Sequence, residues 1–75
     1  MFNFILRKKA ISIDDVATHI NQLRENFNRQ IDIYEFEWIN YTLFVSLRTT
    51  SDIAKVICVR LGFEQYDQWD IQYDD

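Results

Sequence analysis

Along this chain the apolar positions first alternate, then fall into a helical stripe, and then alternate through two successive stretches. After these they return to helical spacing and finish by alternating. A period of two marks a strand with two unlike faces, and a period near 3.6 marks an amphipathic helix. Read in order, the pattern is strand, helix, strand, strand, helix, strand.

Phe2, Phe4 and Leu6 alternate with Asn3, Ile5 and Arg7, which predicts a first strand over residues 2–7. Ser12 followed by Asp15 has the form of a helix start, in which the hydroxyl and the carboxylate each accept from an open backbone N–H. Asp14 and Asp15 also suit the positive end of the helix dipole. Ile13, Val16, Ile20, Leu23 and Phe27 then recur at steps of 3, 4, 3 and 4, giving one apolar stripe and a helix over residues 13–28.

Residues 30–39 predict a strand with Tyr34, Phe36 and Trp38 on one face and Ile31, Ile33, Glu35, Glu37 and Ile39 on the other. The glutamates turn the second face toward solvent or a partner, whereas the isoleucines suit a core. A bulge near Ile33 and Tyr34 is the alternative that reconciles them. Asn40-Tyr41 falls where a tight turn is required, and Asn tolerates positive φ. Leu43, Val45 and Leu47 next alternate against Thr42, Phe44, Ser46 and Arg48, a half-buried strand.

Thr49-Thr50-Ser51-Asp52 offers helix caps ahead of Ile53, Val56, Ile57 and Leu61 at helical spacing. Gly62 is placed as a stop with positive φ, with Phe63 closing the contact after it. A last strand over residues 66–73 sets Trp69, Ile71 and Tyr73 against Gln68, Asp70 and Gln72.

This order predicts a single α+β domain over residues 1–75 of the ferredoxin-like βαββαβ type, with two helices on one face of a four-stranded antiparallel sheet. Right-handed crossovers put both helices on the same face, with the first and third strands central and the other two at the edges. The predicted core is then Phe4, Leu6, Val16, Ile20, Leu23, Phe27, Tyr34, Phe36, Trp38, Leu43, Val45, Leu47, Ile53, Val56, Ile57, Leu61, Trp69 and Ile71. The open face carries Asn3, Ile5, Arg7, Ile33, Glu35, Glu37, Phe44, Ser46, Arg48, Gln68, Asp70 and Gln72.

Composition supports a packed domain. Hydrophobic residues make up 48% and aromatics 16%, with six Phe, four Tyr and two Trp, while Gly occurs once and Pro never. Aromatic side chains bury about 150–250 Å² each, so a few supply much of a small core. Eight Lys and Arg against twelve Asp and Glu leave a net charge of −4. That balance argues against direct nucleic-acid binding, whose affinity comes largely from cations on phosphates. The one basic run, Arg7-Lys8-Lys9, reads as a solvated strand end. Glu64, Asp67, Asp70, Asp74 and Asp75 make the C-terminus acidic, and pairing of the first and last strands would neutralise part of that charge.

A lone Cys58 inside an apolar helical pattern reads as a small buried hydrophobe, and with no disulfide to form, the expected compartment is the cytoplasm. The apolar amino terminus is too short for a signal or a membrane span.

Residue arrangements that could carry chemistry are few. Asp15 and His19, one helical turn apart, read as a helix-stabilising pair ahead of an acid–base pair. No Gly-rich phosphate loop or nucleophile–base arrangement is evident, and neighbouring carboxylates such as Asp14 with Asp15 or Glu35 with Glu37 lack His or Cys at metal-ligand spacing. The expectation is therefore no enzyme, no cofactor and no metal. Phe44 and Ile5 are too few on the open face for a base-stacking platform.

What remains is protein contact. Ile5, Ile33 and Phe44, surrounded by Glu35, Glu37, Arg48 and Asp70, form an apolar centre with a charged rim. Tyr66 and Asp67 join Asp70 as a second candidate in the C-terminal stretch. The expected function is a small protein-binding inhibitor or modulator of a larger protein or complex. The alternatives are an acidic mimic of nucleic-acid charge that occupies the basic groove of a nucleic-acid-binding protein, and a homodimeric sensor of a small ligand.

Overall fold

The computed structural model of the chain describes residues 1–63 and 69–74, with 61–63 and 72–74 described by their backbone alone. Four strands and two helices follow one another as β1 (Phe2–Lys9), α1 (Ile13–Asn26), β2 (Asp32–Ile39), β3 (Thr42–Thr49), α2 (Ser51–Ile57) and β4 (Asp70–Asp74). A π-helical segment, Cys58–Phe63, extends α2.

The local signals act as their chemistry requires. Ser12 caps α1 by accepting from the Asp15 N–H at 3.2 Å, and the Asp15 carboxylate accepts from the Ile11 N–H at 3.1 Å. The helix runs out at Phe27, after which Asn28 and Arg29 adopt positive φ of 52° and 59°. Asn40 and Tyr41 do the same at 50° and 61°, which gives the β2–β3 hairpin the two left-handed residues that match strand twist.

The sheet is antiparallel in the order β2-β3-β1-β4, so β1 and β3 are central, while β2 and β4 form the edges. Phe4 stands opposite Leu47 and Leu6 opposite Val45, which puts these four side chains on one face. They are buried together with Leu43, with Val16, Ile20, Leu23 and Phe27 from the first helical region, and with Ala54 and Ile57 from α2. Both helices therefore pack on the same sheet face, and Trp69, 3% exposed, completes the core at the start of β4.

The structure corrects the expected core along β2. Phe36 and Trp38 do lie on the helix side, opposite Val45 and Leu43, yet they are 52% and 37% exposed, and Tyr34 is 42% exposed. The cause is position in the sheet. β2 has a neighbour on one side only, and the core that the helices cover is built on β1 and β3. Val56 also leaves the core, at 40% exposed, whereas Ile53 and Ile71 pack against it half-buried. Leu61 as a core side chain and the strand residues 66–68 lie outside the described residues. Gly62 does not take positive φ. It lies within the π-helical segment, so the expected stop is absent at that position.

The bulge is present. Pairing shifts between Ile33, opposite Leu47, and Glu35, opposite Ser46, leaving Tyr34 as the extra residue. This one insertion turns Ile33 toward the core while keeping Glu35 and Glu37 on the other face. Deleting Tyr34 removes the insertion without moving either pairing. The expected loss is about 0.5–1 kcal/mol, the worth of the exposed stack of Arg48 on the Tyr34 ring. Urea unfolding of the deletion variant checks this, and loss of the folded state would show that the bulge itself holds the hairpin.

Candidate protein-binding surface

The open sheet face is organised in cross-strand rows. One row runs Glu35, Ser46, Ile5, and the next runs Glu37, Phe44, Arg7, Asp70. A third sets Asp32 opposite Arg48 and Arg48 opposite Asn3. Ile5, Glu35, Glu37, Phe44 and Ser46 line one shallow groove of about 220 Å³. Five of the expected contact residues, Ile5, Glu35, Glu37, Phe44 and Arg48, are thus neighbours on this face. Asp70 lies across the sheet on the opposite edge strand.

Ile33 is corrected: the bulge moves it to the helix side, half-buried against the core, and out of the open face. Tyr66 and Asp67 lie outside the described residues. Arg48 is held from two sides, by the Asp32 carboxylate at 3.1 Å from Nε and by the Tyr34 ring 4.6 Å from Cζ. Both members of the ion pair are solvent-exposed, so it positions the guanidinium and adds little stability. Glu35 and Glu37 are exposed and, among the described residues, form no ion pair.

The β1–β4 pairing sets Arg7 opposite Asp70, the expected meeting of basic and acidic ends, although no ion pair closes between them among the described residues. Lys8 points the other way and puts its ammonium 5.5 Å from the centre of the Trp69 ring. Arg7, Lys9, Asn40, Tyr41 and Asp70 border a wider hollow of about 690 Å³ at that end of the sheet.

The surface missed by sequence reasoning is the helix side of β2. Trp38 donates its indole N–H to the Ala10 carbonyl at 2.9 Å, and its ring meets Tyr41 edge-on at 6.4 Å. The Ala10 N–H in turn donates to the Tyr41 carbonyl at 2.9 Å. These bonds fix the β1–α1 loop beside the hairpin end, where Ile11 and Ile13 are also exposed. Phe36, Trp38, Tyr41 and Ile11 therefore present apolar surface along one edge of the molecule. The sequence did carry a signal for it: an edge strand with two glutamates on its other face has no second layer to cover it.

His19 takes a different role from the one its spacing suggested. Its Nε2–H donates to the Lys9 carbonyl at 3.1 Å, and its ring meets Trp69 edge-on at 6.3 Å. Asp15 is engaged with the Ile11 N–H instead, so the Asp15–His19 pair does not form. Among the described residues the buried Nδ1 has no hydrogen-bond partner. Cys58 is half-buried against the core. Among the described residues no group of three or more His, Cys, Asp or Glu could hold a metal ion, and no helix is long and apolar enough to cross a membrane. Compared with protein families, with curated proteins and with solved structures, the chain matches none.

Proposed function

We propose that this chain is a small non-enzymatic protein-binding module, an inhibitor or modulator of a larger protein or complex, working in the cytoplasm. The observation that carries the reading is the two-sided exposure of β2. Phe36 and Trp38 are partly exposed on one side, while Glu35 and Glu37, without an ion-pair partner among the described residues, stand on the other beside Ile5 and Phe44. Exposed aromatics with a charged surround are the composition of contact surfaces, in which Trp and Tyr contribute a large share of binding energy. The scaffold we assign is ferredoxin-like, supported by the element order and by the strand order β2-β3-β1-β4. Architecture of this kind hosts many activities, so the function rests on the surface and not on the fold.

Affinity capture with the tagged chain from lysate of its source organism, followed by calorimetric titration of the purified partner, tests the proposal. Phe44→Ala and Phe36→Asp should each keep the folded circular dichroism spectrum, and at least one should weaken binding tenfold or more, which corresponds to about 1.4 kcal/mol. A partner that binds both variants as tightly as the wild type, or a turnover activity in the purified chain, would overturn it.

A further inference from the structure

We propose that the outer edge of β2, over Glu35–Ile39, accepts an extended partner segment as a fifth strand, and that this segment alternates basic with apolar residues. The inference rests on the protein-binding reading and specifies how the partner is held. β2 is a terminal strand of the sheet, with β3 on one side and no strand on the other among the described residues. An edge strand presents unpaired N–H and C=O groups along its free side, which is the template for strand addition. The bulge at Tyr34 interrupts the ladder at one end, and the Asn40-Tyr41 turn closes it at the other. Between them the strand is regular.

The side chains of that regular stretch determine the occupant. Glu35 and Glu37 point to the open face, exposed and, among the described residues, without an ion-pair partner, and Phe36 and Trp38 point to the helix side, partly exposed at 52% and 37%. Successive side chains of an added strand also point to opposite faces and sit about 4.5–5.5 Å from those directly across. Lysine or arginine at alternate positions would meet the two carboxylates. The intervening apolar residues would lie against Phe36, Trp38 and the neighbouring Ile11.

A second copy of the chain fits worse. Antiparallel self-pairing centred on Phe36 places Glu35 opposite Glu37 of the mate, and like charges directly opposite are destabilising. The same glutamates that keep two copies apart thus select a basic strand, so repulsion and recognition come from one pair of residues.

The test uses the full chain and a short capped peptide alternating lysine with isoleucine and valine. Binding should be measured by NMR titration at low and raised salt. The expected result is slowed hydrogen exchange for amides within Glu35–Ile39, affinity that falls as salt rises, and loss of binding when the peptide's edge-facing amides are N-methylated. Glu35→Lys with Glu37→Lys should weaken binding of this peptide tenfold or more and transfer preference to a peptide with glutamate in place of lysine. Three results would overturn strand addition: equal binding of the N-methylated peptide, protection appearing at β4 in place of β2, or no reversal by the charge swap. A dimer of the free chain that protects the amides of Glu35–Ile39 from exchange would make the second copy the occupant and overturn the proposal as well. If a natural partner is lost on Phe44→Ala while the peptide fails, the binding-module reading stands and strand addition falls.

Discussion

Truncating Phe4 to alanine is expected to destabilise the domain by about 3–5 kcal/mol, the range for removing a fully buried aromatic ring. Phe4 is 1% exposed on a central strand, opposite Leu47, within the cluster that joins both helices to the sheet. A domain of this length has a total stability of roughly 4–11 kcal/mol, so the loss approaches or exceeds a third of what is present. Urea unfolding followed by circular dichroism should show a much lower midpoint, or no folded baseline. Phe36→Ala is the informative contrast. It removes the same ring from the same sheet face, one strand order position outside the covered centre, where half of the ring's surface is already wet. Its cost should stay near 1 kcal/mol, as for substitutions outside the packed core. Equal losses for the two variants would mean that β2 is covered in solution.

Trp69→Ala carries the second large effect, again about 3–5 kcal/mol by the same argument. The indole is 3% exposed, meets His19 edge-on and lies beside the Lys8 ammonium. It therefore ties the start of β4 to β1 and α1 together. β4 is an edge strand whose only paired strand among the described residues is β1, so part of the loss should appear as local opening of the C-terminal strand, with fast amide exchange over Asp70–Asp74 at urea concentrations where β1 and β3 remain protected. Trp38→Phe provides the comparison. It keeps a ring at an exposed site and removes one hydrogen bond to the Ala10 carbonyl, for about 1 kcal/mol. A stability change below about 0.5 kcal/mol for Trp69→Ala would place that side chain on the surface and out of the core.

The two tryptophans show where sequence patterning stops being informative. Both sit in alternating, aromatic-rich segments, and alternation says only that a strand has two unlike faces. It does not say how far the second layer extends. Trp69 falls under α1 because β4 adjoins β1, while Trp38 lies on the outer strand beyond the buried stripe of either helix. Ile33 illustrates a second limit. A one-residue insertion reverses the face of every side chain beyond it, and nothing in the composition of Ile33-Tyr34-Glu35 specifies which residue is extra. The conflict between isoleucines and glutamates in that segment was visible in the sequence, and the bulge is how the chain resolves it.

Sequence by itself determined the elements with local causes. The α1 stripe and its Ser12–Asp15 start, the left-handed Asn40-Tyr41 turn, and the alternation of β3 each depend on contacts within a few residues. The placement of Glu35, Glu37 and Phe44 on one open face also followed, because register between the bulge and the turn of the β2–β3 hairpin is fixed by that turn. Tertiary structure alone decided the exposure of Phe36 and Trp38, the burial of Ile33, the continuation past Gly62 as a π-helical segment, and the engagement of His19 with Lys9. Each of these depends on which strand lies at the sheet's rim and what packs over it. Such long-range competition for a limited covered area cannot be read from the spacing of neighbouring residues.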